Sequence, residues 1–206
     1  MVSIKNNIQP TSHISSSLSQ IFASLPKEGK KLDLGCGGGG QLSHLINGIG
    51  LDYSMDNLRY CKILGKPLCC GDLQKPLPFA PESNVVVLIS HVLEHVSSPL
   101  ELCLEAHRIL CKNGFLIIGV PLEQSMFRKV LRDDYFKDHP GHIYGFTPAG
   151  LRQLVQFAKF KVKDTLFDIP LARRLKLTKI QKMVNRIMPE WVLYSTCANF
   201  WVVAQK

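Results

Sequence analysis

The chain has 206 residues, 46% of them hydrophobic and 20% charged, and a formal net charge of +9. That length buries one sizeable core with room for a lid, and the composition excludes a disordered chain. The positive charge admits an anionic partner such as nucleic acid, anionic lipid or an acidic metabolite, and is equally compatible with an enzyme that is merely basic.

The seven cysteines, at 36, 61, 69, 70, 103, 111 and 197, are odd in number and contain no C-x-x-C. Several fall in apolar contexts, where a thiol packs as a small hydrophobe, so a reducing compartment is expected rather than a disulfide framework. Cys69 and Cys70 are expected to be two buried thiols ending a strand. No apolar run reaches the ~18 residues of a membrane-spanning helix. The N-terminus carries Ser, Asn and Gln where a signal peptide carries an apolar core. The expected location is cytoplasmic.

In chain order, residues 1–12 are polar and expected to be loose. Leu18, Ile21, Phe22 and Leu25 fall at helical spacing behind several serines, which predicts a helix over Ser15–Leu25. A short strand over 30–34 runs into five glycines (Gly35 and Gly37–Gly40), and a helix is expected over Gln41–Ile46. Gly48–Asp52 reads as a strand, Leu58–Leu64 as a helix and Pro67–Cys70 as a strand. Val85–Ser90, apolar on both faces, predicts a central parallel strand. Ser98-Pro99-Leu100-Glu101 reads as a capping box opening a helix through Leu110, with Asn113-Gly114 as its stop. Phe115–Val120 is a second doubly buried strand. Thr147-Pro148 opens a helix, and strands follow over Phe160–Leu166 and Ala198–Ala204. Strands alternating with helices predict one α/β domain around a mainly parallel sheet. The division expected along it is a helical extension over 1–29 and two substrate-side insertions, 122–146 and 168–192.

A strand that ends in glycine lets backbone approach a ligand closely. Asp33, Asp52 and Asp72 each end or follow one of the first three strands, one β-α unit apart. A carboxylate ending the second strand can accept both hydroxyls of a ribose. Gly35, Gly37 and Gly40 also satisfy G-x-G-x-x-G, a weak pattern alone. Asp33 stands two residues before the first glycine, where it would repel a pyrophosphate but suit a ligand bearing an ammonium.

The series Asp33-Leu34-Gly35-Cys36-Gly37-Gly38-Gly39, Gly50-Leu51-Asp52-Tyr53-Ser54, Gly71-Asp72-Leu73 and Val92-Leu93-Glu94-His95-Val96 resembles class I S-adenosylmethionine-dependent methyltransferases. The resemblance continues through Glu105–Leu110, Gly114–Ile118 and Val120-Pro121, and is to the small-molecule, type 11-like branch. It implies a Rossmann-like three-layer sandwich whose mostly parallel seven-stranded sheet has an antiparallel last strand. It also implies S-adenosyl-L-methionine as cofactor. Asp33 would hold the methionine ammonium, with Gly35 and Gly37 lining the methionine part. Asp52 would take the ribose hydroxyls, Tyr53 and Met55 would lie near the adenine, and Asp72 and Leu73 would meet its amino group and ring. Ser90 and His91 would approach the transferring end. The chain departs from the pattern at Asn84, where an acid is usual, and at Ala158-Lys159-Phe160, where Gly-Phe is usual. The alternatives are an NAD-dependent oxidoreductase and a non-catalytic cofactor-binding partner protein.

A base is needed only if the acceptor is protonated, and the candidates are His91, His95, His139, His142 and Tyr144, with His91 and His142 the catalytic residues expected. Glu94 and His95 are expected to support the fold around their turn. His91-x-x-Glu94-His95 with a later histidine at 139 or 142 has metal-ligand spacing. Small-RNA 2′-O-methyltransferases use a related Glu-x-x-Glu-His, but histidine stands first here and oxygen ligands are few, so no metal is expected. Across 159–190 nine Lys/Arg face three acids. Within 171–188, Leu171, Leu175, Ile180, Met183, Val184 and Ile187 mark one helical face and basic residues the other. That stretch could rest on an anionic membrane, or pack on the core with a solvated basic face. Nucleic acid is disfavoured because no aromatics interleave the charges.

Overall fold

Residues 14–122, 141–168 and 178–206 are described by a computed structural model of the chain. The loose residues 1–12, His139, most of the 122–146 insertion and the basic residues at 173, 174 and 176 lie outside them. A seven-stranded sheet organises the rest, in the order β3-β2-β1-β4-β5-β7-β6. The strands are β1 (Lys31–Leu34), β2 (Gly48–Asp52), β3 (Leu68–Cys70), β4 (Asn84–Ser90), β5 (Leu110–Pro121), β6 (Lys161–Asp168) and β7 (Asn199–Gln205). Only β7 runs against its neighbours, antiparallel to both β5 and β6, as the resemblance implied.

A central strand with an unbroken apolar middle must bury both faces, and β4 does so over Val86–Ile89. Val86 and Leu88 face one side with Leu18 and Ile21 of α1 (Ser16–Ser24), while Val87 and Ile89 face the other. There they meet Leu102, Ala106 and Ile109 of α3 (Pro99–Ile109), which follows α2 (Met55–Cys61), and Leu151 and Val155 of α4 (Pro148–Phe157). Two further helices, α5 (Thr178–Ile187) and α6 (Glu190–Thr196), lead into β7. Thr147 caps α4 by accepting from the Gly150 N–H, and proline at the first helical position fixes its entry.

Several local expectations fail for identifiable reasons. The helix over Gln41–Ile46 is a single 3-10 turn, Leu42–His44. Six residues between Gly40 and Asn47-Gly48 are too few to nucleate an α-helix that packing does not otherwise demand. Ser98 precedes α3 but makes no side-chain cap, so Pro99 at the first position carries that start without a capping box. The helix ends at Ile109, one residue short of the expected Leu110, because Leu110 already pairs with Asn84 as the first residue of β5. The helix expected over Leu58–Leu64 begins at Met55 behind the Ser54 cap and tightens to 3-10 geometry over Lys62–Leu64. Cys69 and Cys70 are not a buried pair: the first is half-buried and the second exposed, since β3 is an edge strand.

Lys159 occupies the position where glycine is usual and adopts φ +68°, the left-handed conformation that a glycine would take without strain.

Candidate active site

β1 pairs with β2 on one side and β4 on the other, so the carboxyl ends of all three strands form one rim. Such a rim is where open α/β sheets receive ligands. The glycine turn leaves β1 there. Gly35 has φ +74°, and a Cβ on it would lie 2.4 Å from Val92 Cγ2 and 3.5 Å from Leu73 Cδ1. Only glycine lets these two side chains close on the turn, which joins the loops after β1, β3 and β4. The turn folds down onto α2, where the Cys61 thiol donates to the Gly37 carbonyl at 3.1 Å.

Asp33 and Asp52 lie beneath this turn, 1% and 5% exposed. Asp52 Oδ2 accepts from the Gly37 N–H at 2.8 Å, and its Oδ1 accepts from the Ser54 N–H at 2.9 Å and Asn57 Nδ2 at 3.2 Å. Asp33 is less well served. Its Oδ2 is buried with no hydrogen-bond partner among the described residues. Burial, with a smaller push from the Asp52 charge, raises its carboxyl from the ordinary 3.8 to about 7, against the pull of the Leu42 backbone N–H. A buried oxygen without a donor, in a pocket that already disfavours negative charge, fits a ligand cation. The residues present therefore suit the ammonium end of S-adenosylmethionine.

The other expected cofactor residues surround the same rim. Tyr53 and Met55 follow Asp52 and are 80% and 54% exposed, available as a platform. Asp72 is exposed and accepts from the Gln74 N–H at 3.0 Å, while Leu73 rests on Gly35. Ser90 ends β4 opposite Gly119.

The histidines divide into two places. His91 adopts φ +54°, held by its N–H donating to the Gly119 carbonyl at 2.8 Å. Its ring meets Trp201 edge-on at 6.5 Å, and its Nδ1 lies 3.5 Å from Glu94 Oε1. His142 packs edge-on against His95 at 4.5 Å between ring centroids. Sequence reasoning assigned Glu94 a supporting role, yet its side chain is fully buried and neither carboxylate oxygen finds a hydrogen-bond donor among the described residues. The Glu94-His95 pair directly after a buried strand end was the available signal. A buried Asp168, accepting from Trp201 Nε1 at 2.8 Å, had no such signal, because its partner lies 33 residues away.

The strand order, with one reversed strand beside the edge, is that of Rossmann-like methyltransferases. Residues 32–118 match the family model described as a methyltransferase domain, of the type 11 branch. Residues 32–118 thus match a methyltransferase domain on the fold that S-adenosylmethionine-dependent methyltransferases share, and the enzyme class this points to takes S-adenosylmethionine as its cofactor. An S-adenosylmethionine-dependent methyltransferase from Thermotoga maritima superposes with a TM-score of 0.69 at 24% identity, over 93% of this chain and 88% of that one. One from Archaeoglobus fulgidus gives 0.68 at 19% identity, over 93% and 92%. The [4+2]-cyclase SpnF gives 0.65 at 16% identity, over 93% and 81%, so the fold alone does not fix the reaction. No curated protein matches the chain.

Proposed function

We propose that the protein transfers a methyl group from S-adenosylmethionine to a small-molecule acceptor, with lipids, quinone precursors and glycans as the candidate classes. The observation that carries this reading is the buried, partnerless Asp33 Oδ2 beside Asp52 under one glycine turn. S-adenosylmethionine supplies an electrophilic methyl on a sulfonium. Asp33 accepts from the ammonium of its methionine end, and Gly35 and Gly37 leave room for that part. Asp52 takes the ribose hydroxyls in place of the Gly37 N–H it now accepts, which requires the turn to lift. Tyr53, Met55, Asp72 and Leu73 border the adenine, and Ser90 the reacting end.

Alignment of acceptor and methyl contributes most of the rate, about 7–11 kcal/mol when geometry is tight. For a hydroxyl acceptor, His91 is the proton acceptor, its ring placed edge-on to Trp201 and its Nδ1 3.5 Å from the Glu94 carboxylate. An NAD-dependent oxidoreductase is the weaker reading, because Asp33, buried two residues before the first glycine, would repel a pyrophosphate there.

The same enzyme is proposed to touch anionic membranes through 171–188. Among the described side chains Met183, Ile187 and Met188 are 54%, 68% and 41% exposed, and the neighbouring Trp191 is 73% exposed, while Val184 packs on the core, so part of this apolar surface is left for lipid. Among the described residues no helix is long and apolar enough to cross a membrane.

Calorimetry with S-adenosylmethionine and with NAD tests the cofactor reading. Saturable binding of the first alone is the expected result, and binding of NAD alone refutes it. Labelled methyl transfer into fractions of cell extract then identifies the acceptor class.

A further inference from the structure

We propose that Glu94, His95 and His142 form a binding site for one divalent transition-metal ion, of the zinc or cobalt type, beside the glycine turn. One ligand atom from each of the three residues can be chosen so that all lie within 4.8 Å of one another. In a tetrahedral zinc shell, with bonds of about 2.0–2.2 Å, neighbouring ligand atoms stand about 3.4 Å apart. The closure needed is within the torsional reach of two imidazoles.

Three features separate this cluster from a chance meeting of polar groups. The Glu94 side chain is fully buried and lacks a hydrogen-bond donor on either oxygen. The His91 Nδ1 lies 3.5 Å from Glu94 Oε1, long for a charge-assisted hydrogen bond. A carboxylate taken out of water in this way is costly unless a cation joins it. Secondly, His95 is already set as a ligand. Its Nδ1 lies 2.8 Å from the Gly141 carbonyl, which can only accept, so Nδ1 is the donor and Nε2 is the nitrogen left for a ligand. A histidine oriented through its other nitrogen by a carbonyl is the usual arrangement behind a metal ligand.

Thirdly, the segment that brings His142 is fastened to the same turn. The Ile143 and Tyr144 N–H groups both donate to the Glu94 carbonyl, at 2.7 and 3.3 Å, and the Tyr144 hydroxyl donates to the Ser97 carbonyl at 2.9 Å. His142 is therefore held over Glu94 and His95 by backbone as well as by its ring.

Two nitrogens and one oxygen favour a borderline metal over magnesium or calcium, which prefer oxygen. The spacing alone argued against a metal because oxygen donors are few; that objection applies only to the hard cations. Val92, between His91 and Glu94, touches Gly35, so the ion would border the methyl-donor crevice, with Glu94 linking it to His91. Its remaining positions would take an oxygen donor.

The test uses the full chain after dialysis against a chelator, with cobalt(II) chloride followed by visible absorption and zinc chloride by calorimetry. Neither requires S-adenosylmethionine, so the outcome is independent of the methyl-donor reading. The expected result is one ion per chain, with visible bands of a nitrogen-ligated, low-coordinate cobalt site. Magnesium chloride should give no saturable binding. Glu94→Gln and His142→Ala should each weaken zinc by at least about 100-fold, more than loss of an outer-shell partner usually costs. His142 is half-buried, whereas Glu94 is fully buried, so the His142 variant decides the question should Glu94→Gln fail to fold. His44→Ala, at an exposed histidine elsewhere, should bind as the parent does. No binding at millimolar metal, equal binding by His142→Ala, or a preference for magnesium overturns the site.

Discussion

Replacing Asp33 with asparagine should stabilise the protein at alkaline pH while impairing its binding of S-adenosylmethionine. Burial first, and the Asp52 charge second, raise the Asp33 carboxyl from 3.8 to about 7. The native state therefore holds this proton more tightly than the unfolded chain does. Its contribution to stability is fully present below about pH 4, falls as pH rises toward 7, and levels off above that. The difference corresponds to about 4 kcal/mol between the two plateaus. Asparagine removes the ionisation and keeps an acceptor for the Leu42 N–H, but buries an amide group whose loss of water costs about 1–3 kcal/mol. The net gain at pH 8.5 is then about 1–3 kcal/mol. For a chain of this size each kcal/mol moves Tm by about 2–4 °C. Urea unfolding of both proteins from pH 4.5 to 8.5 measures it directly: the gap should open toward alkaline pH and close or reverse below pH 5. Parallel curves across that range would show that Asp33 is not held in the environment described, and would remove the argument for a cationic ligand.

The remaining predictions address separate parts of the molecule. Asp52→Ala should weaken S-adenosylmethionine by at least about 100-fold in equilibrium dialysis, since it removes the acceptor of two hydroxyls, each hydrogen bond to a charged group being worth about 1.5–3 kcal/mol. Lys159→Gly should raise stability by about 1 kcal/mol in urea, by relieving a left-handed backbone with φ +68°; a loss would mean that the lysine side chain packs usefully. Gly119→Ala should cost about 1–3 kcal/mol or more, because the new methyl would stand 2.3 Å from the Trp201 ring. Exchanging the Lys and Arg residues of 173–186 for glutamine should abolish sedimentation with vesicles rich in phosphatidylserine, and unchanged sedimentation returns that stretch to an ordinary surface.

The mainly parallel α/β sheet was legible because Val85–Ile89 and Phe115–Val120 are apolar on both faces and because an acid lies at or near the end of each of the first two strands. Asp33 and Asp52 could be placed at one rim from that alone. What escaped the sequence was governed by tertiary competition. Six residues after the glycines carry a helical pattern, but the chain must return to β2 at Gly48 and completes only one tight turn. Leu110 looked helical until its pairing with Asn84 claimed it for the sheet. Glu94 read as a bystander because burial is not visible in a single residue letter, and its two unsatisfied oxygens arise only once 141–144 fold across it. The departures at Asn84 and Lys159 are absorbed differently. Asn84 is buried and donates to Ser83 Oγ at 2.8 Å, whereas Lys159 keeps the backbone shape of the residue it replaces.

Trp201 is 2% exposed, lies over Gly119 and presents an edge to His91, whereas Trp191 is 73% exposed. The chain's two tryptophans therefore sit in opposite surroundings, one dry and one wet, and their emission can be told apart by colour and by quencher access. The dry one abuts the imidazole at the mouth of the crevice, so events there can be followed optically without attaching a dye.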